Sequence, residues 1–187
     1  MATLFRVRVG WAGTLPGVPY LSTLWFGSGL YVEQDAVDST RAFLDSAKGL
    51  WSTALTATVE PEVALIDEAT GALTGVTSVT PPGAVTGENS NEPLPVSSQG
   101  LARFSTSTVA GGRILKGHMF IPAPTADLND NGAPTSGYVS VLASKVADFI
   151  ADVSSELRVY SRTHHTSGLV TSGSAAPYWA VLRSRRD

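Results

Sequence analysis

Cysteine is absent from the 187 residues, and histidine occurs three times. The first absence excludes a disulfide framework and every thiolate metal site, so packing alone must hold the fold in any redox compartment. The second leaves little of the usual apparatus for proton transfer. His164 and His165 are neighbours, which on a strand point to opposite faces and cannot share a metal, and His118 sits between Gly117 and Met119, where a satisfied sheet histidine is the plain reading. Neither a G-x-S-x-G elbow nor a phosphate-binding glycine pattern occurs; Gly111-Gly112-Arg113 lacks the lysine and the spacing of such a loop. These absences argue against an enzyme and against a bound cofactor. No run approaches the roughly 18–20 apolar residues that cross a bilayer. Arg6 and Arg8 also interrupt the first apolar positions before a secretion-signal core could form. The expectation is a soluble chain with no secretion signal and no membrane partner.

A strong excess of one charge is lacking too: net charge is −3, and no polybasic arm of the kind that neutralises phosphate is present. The charge is unevenly placed, with ten acids against four bases in residues 1–98 and six against nine in 99–187. The densest basic group is Arg183, Arg185 and Arg186, a candidate for contacting nucleic acid or a neighbouring subunit. Arg6, Arg8, Arg103, Arg113, Lys116, Arg158 and Arg162 all lie on or beside expected strands. Aligned on one sheet face they would form a basic surface without any basic run; the plainer reading of each is a solvated or ion-paired position.

What is present is strand-rich sequence interrupted by two helical stretches. Residues 4–11 alternate, with Phe5, Val7, Val9 and Trp11 on one face, and Tyr20–Phe26 follows as a second strand. From Asp35 the period turns helical: Val37, Thr40, Phe43, Leu44, Ala47, Leu50, Trp51 and Ala54 share a stripe, with Asp35 or Asp38 as cap. Thr56–Ile66 and Ala72–Val79 flank Asp67–Gly71, whose glycine suits the left-handed position of a hairpin. Gln99–Thr108 and Arg113–Ile121 form the next strand pair. Over 135–154, Tyr138, Val141, Leu142, Val146, Phe149, Ile150 and Val153 keep helical spacing, with Thr135 or Ser136 as cap. Strands at Leu157–Ser161 and Tyr178–Leu182 close the chain. The order predicts an α+β fold, a largely antiparallel sheet with both amphipathic helices on one face; a helix-decorated β-sandwich or jelly roll is the alternative. One domain over 1–187 is expected, with long exposed loops at 80–98 and 122–134.

Asp127-Leu128-Asn129-Asp130-Asn131-Gly132 reproduces the first half of a calcium loop, in which Asp127, Asn129 and Asn131 would converge on the ion. The twelfth position, where a bidentate Glu belongs, is Tyr138. An Asx-rich turn entering a helix is therefore the plainer reading, and any cation held here would be calcium, bound weakly.

Four segments carry a resemblance: Ile66–Gly71; Ser98–Phe104 with Gly111-Gly112-Arg113; Gly117-His118-Met119-Phe120-Ile121-Pro122; and Trp179–Asp187. Together they cover about a sixth of the chain and resemble structural proteins of small viruses known mainly from environmental sequence, capsid proteins of single-stranded DNA or RNA viruses. The resemblance implies a virion component and no catalytic residue. Many such proteins begin with a basic arm, whereas a strand opens this chain, so a genome contact would fall to folded basic surface. The functional expectation is a self-assembling capsid subunit located in the virion, forming homo-oligomers larger than a dimer and contacting genome nucleic acid. A phage tail, neck or decoration protein is the alternative.

Overall fold

The computed structural model describes residues 3–13, 22–27, 32–91, 100–110, 113–127, 135–153, 158–162, 167–170 and 180–181. Strand β1 (Thr3–Gly13) organises the sheet, because its alternation gives it one wholly apolar face: Phe5, Val7, Val9 and Trp11 are all buried. One of its edges pairs with β2 (Ser22–Gly27), and the other with β3 (Leu55–Val59) and β4 (Glu62–Asp67), all antiparallel. The sequence reads 56–66 as one strand; the structure divides it at Glu60-Pro61. Val9 faces Val59 and Arg6 faces Ala64, so Val7 and Arg8 lie against four residues, Glu60–Val63. Pro61 has no N–H to give the ladder, and the excess chain bulges there, tied back by Glu60 N donating to Arg8 O at 3.0 Å.

Strand β5 (Leu73–Ser78) returns along β4, and β6 (Val85–Thr86) pairs with β3. A long hairpin follows, β7 (Gly100–Ala110) and β8 (Arg113–Ala123), in register from Gly100↔Ala123 to Ala110↔Arg113. Thr23↔His118 joins it to β2. Strands β9 (Arg158–Arg162), β10 (Ser167–Val170) and β11 (Ala180–Val181) complete the far side, where β9 and β11 pair with β7, and β10 pairs with β9. Along its main path the sheet therefore runs β10-β9-β7-β8-β2-β1-β3-β6. Among the described residues every strand pairing is antiparallel, and one parallel bridge links Ser52 to Asn89. β10 falls in what the sequence reads as a Gly/Ser/Thr loop; its four residues carry no periodicity, and only the pairing with β9 defines it.

Helix α1 (Glu33–Ala47) stops short of the expected end and tightens into a 3-10 turn at Lys48-Gly49-Leu50. Its N-cap is Val32, whose N–H donates to Asp35 Oδ2 at 3.4 Å, while Asp38 accepts from Gln34 instead. Helix α2 (Ser136–Val153) begins as expected, with Thr135 Oγ1 accepting from Tyr138 N at 3.3 Å. Both helices bury their stripes against the same face of the sheet: Val37, Phe43 and Leu44 of α1 and Leu142, Val146 and Phe149 of α2 join Phe5, Val7, Val9, Leu24, Met119 and Ile121 in one core. The Phe43 and Phe149 rings lie 4.8 Å apart. Val141, expected on the apolar stripe, is 49% exposed; the side chains of Ile150 and Val153 lie outside the described residues. The fold is thus α+β, one sheet with both helices on one face.

The expected exposed excursion over 80–98 takes a different form in 80–91; residues 92–99 lie outside the described residues. Val85 is buried in β6, and the chain beyond it is stitched to the segment from the 3-10 turn to the start of β3: Gly87 N donates to Leu55 O, Glu88 N to Lys48 O, Asn89 N to Trp51 O, and Thr53 N to Asn89 O. The prolines at 81 and 82 precede the strand, so they do not interrupt it. Of the second expected loop, Pro122 and Ala123 still belong to β8, and Thr125–Asp127 forms one 3-10 turn.

Candidate interaction surface

Arg183, Arg185 and Arg186 lie outside the described residues, as do His164, His165, Asn129 and Asn131. Asp127, the first position of the calcium pattern, is described, and its groups are already engaged. Its Oδ2 accepts from Asn89 Nδ2 at 3.2 Å, its carbonyl accepts from Thr135 N at 2.8 Å, and its N–H donates to Pro124 O at 3.0 Å. It acts as a clasp that ties Thr135, at the start of α2, to Asn89 of the 80–91 segment. Nearby, burial raises the Tyr138 phenol well above its ordinary pKa, and the charge of Asp127 adds to that shift. Among the described residues no three His, Asp or Glu side chains gather as a metal site.

The face of the sheet opposite the helices is built by the other half of each strand's alternation. On β1 it presents Leu4, Arg6 and Arg8, with Ala64 and Ile66 opposite on β4. Leu4 and Ile66 are buried there with Trp25 packed against them, a small apolar patch separate from the main core. Beside it a shallow hollow of about 210 Å³ is lined by Arg6, Arg8, Glu60, Glu62, Ala64 and Val76. Arg8 Nη1 lies 3.8 Å from Glu60 Oε2, with side chains 39 and 37% exposed, so this pair contributes about 0–1 kcal/mol and leaves both groups available to a partner.

At one end of this face stands β5. The hairpin that creates it is closed by the Asp67–Gly71 turn, with Gly71 at φ 68° as the sequence predicts. Its register shifts by one residue near Leu65 and Ile66, which puts Leu73 opposite Ile66 and Val76 opposite Ala64, so both lie on the face away from the helices. They are 60 and 55% exposed. Among the described strands β5 pairs with β4 alone, and Leu-Thr-Gly-Val-Thr-Ser contains no charge and no proline. The hairpin is legible in the sequence. That its second strand forms an edge follows only from the pairing, although the lack of a guarding charge between residues 73 and 78 is a signal visible in the chain itself.

No family model matches the chain, and no curated protein or solved structure matches it either.

Proposed function

We propose that this chain is a self-assembling structural subunit of a virus particle, a capsid protein whose copies join by homo-oligomerisation. The observation that carries assembly is the β5 edge. A strand that among the described strands is paired on one side only, with exposed Leu73 and Val76 and no charged residue, offers backbone donors and acceptors to another strand, the feature that monomeric proteins block with lysine or proline. Its own copy suits it. Antiparallel self-pairing centred on Val76 sets residues of the same face opposite one another, so two sheets continue as one, and no like charges meet. That contact alone makes a dimer. Growth beyond it uses a second surface, and the other end of the sheet, β10, pairs only with β9 among the described strands. The viral part of the reading is supported by the resemblance of Ser98–Phe104, Gly117–Pro122 and Trp179–Asp187 to capsid proteins.

Size-exclusion chromatography with light scattering, followed by negative-stain microscopy, tests the proposal. The expected result is a mass above that of a dimer and closed shells. Val76→Lys, at a half-exposed site, should keep the circular dichroism spectrum and lose the large species. Tubes or rings would assign the chain to a tail or neck instead. A monomer over a wide range of concentration would overturn assembly altogether.

A further inference from the structure

The strand register sorts the basic residues of the sheet by face. Met119 and Ile121 of β8 are buried in the helix-side core, so by register Lys116, His118 and Phe120 belong to the opposite face of the sheet. Residues directly opposite one another in an antiparallel ladder share a face, which carries the assignment across the sheet. Arg103 of β7 is opposite Phe120, Ser105 opposite His118, and Ser107 opposite Lys116. Ser105 and Ser107 are in turn opposite Tyr160 and Arg158 of β9, and Arg162 lies two residues further along the same face. In the other direction His118 is opposite Thr23, Thr23 is opposite Arg8, and Trp25 is opposite Arg6. Strands β7, β8 and β9 contain no acidic residue, and four of their five bases occupy this face, Arg113 being the exception.

From this register we infer that the face of the sheet away from the helices, over β2, β8, β7 and β9, binds single-stranded nucleic acid. Three features support that occupant. The charge is complementary to phosphate: Arg6, Arg8, Arg103, Lys116, Arg158 and Arg162 share the face by register, and among the described residues Glu60 and Glu62 lie beside it at the β3–β4 end. Aromatic residues share the face with the bases by register, at Phe120 of β8 and Tyr160 of β9 with β7 between them, the kind of residue on which unpaired bases stack. A sheet face five strands wide from β1 to β9, roughly 19 Å across at about 4.8 Å per strand, is broader than a duplex groove admits but suits a splayed single strand. This inference stands on the register and not on the assembly reading, which can fail with the face intact.

The test is fluorescence anisotropy of a labelled 20-residue oligo(dT) as a function of NaCl. The protein should bind with affinity that falls as salt rises. Replacing Lys116, Arg158 and Arg162 together by Ser should flatten the log-log salt slope by about 2, and each single replacement by about 0.7. The single variants decide the matter if the triple does not fold, and Lys116→Arg should retain the wild-type slope. Tyr160→Ala should weaken binding about tenfold with no change in slope, because stacking carries no counterion release. Replacing Arg183, Arg185 and Arg186 by Ser should leave the slope unchanged; if that variant alone flattens it, the C-terminal cluster carries the binding and the inference is wrong. Equal affinity for a duplex of the same length, displacement of the oligonucleotide by phosphatidylserine vesicles, or no binding at all would each overturn it. Assembly is followed separately by light scattering on the same samples, so loss of one property is not mistaken for loss of the other.

Discussion

Asp67 Oδ1 accepts from the backbone N–H and the hydroxyl of Thr70 at 2.7 and 2.8 Å, while the Asp67 backbone meets Gly71 and Ala72 across the turn. The Thr70 hydroxyl, with help from the Thr70 N–H, holds the carboxyl below the usual carboxylate range. A depressed folded-state pKa means stability that is fully present above the unfolded value of about 3.9 and is lost as pH falls through the folded one. Melting temperature followed from pH 6 to pH 2.5 should therefore drop less steeply in Asp67→Asn than in the wild type, the asparagine starting lower at pH 6. Parallel curves would show that the turn does not depend on the charge. The β4–β5 hairpin, and with it the β5 edge, is thus secured by one side chain and by the left-handed Gly71.

At the scale of elements, what could be read from the chain was whatever depends on local period. The alternation of Phe5, Val7, Val9 and Trp11, the stripe of α1 through Ala47 and the spacing of α2 needed no knowledge of partners. The break at Glu60-Pro61, β6 and β10 depend on strands distant in sequence, and the composition of the face away from the helices became legible only once β1, β2, β8, β7 and β9 were placed in register. The arginines of the candidate face were visible as residues; their common side was not. β6 leads into the tightest of these non-local contacts. Past Val85 the backbone passes so close to Trp51 that a Cβ on Gly87 would collide with the Ser52 and Trp51 carbonyl oxygens and the indole. Trp51 is fully buried, edge-on to Trp11 at 4.9 Å, so it cannot yield. Gly87→Ala should cost about 1–3 kcal/mol by overpacking, read as a lower urea midpoint. Gly83→Ala, where nothing lies within 4 Å, should leave the midpoint nearly unchanged. Equal effects at both positions would mean that the 80–91 segment is not integral to the fold.

For the whole molecule, two kinds of attraction can bring copies together, and they respond oppositely to salt. The acidic first half and the basic second half of the chain could attract one another between copies. Such attraction is screened over about 10 Å at 0.1 M salt and about 3 Å at 1 M. The β5 edge has no charge to screen; its contribution comes from backbone hydrogen bonds and from covering Leu73 and Val76, which salt does not weaken. If β5 drives association, the sedimentation profile should keep its large species between 0.05 and roughly 1 M NaCl, even as any bound oligonucleotide is released over the same range. Dissolution of the large species at high salt, with Val76→Lys still assembling at low salt, would assign assembly to the opposed charges and leave β5 as an unused edge. The two properties then separate on one axis, because a neutral edge and a basic face on the same sheet cannot share a salt dependence.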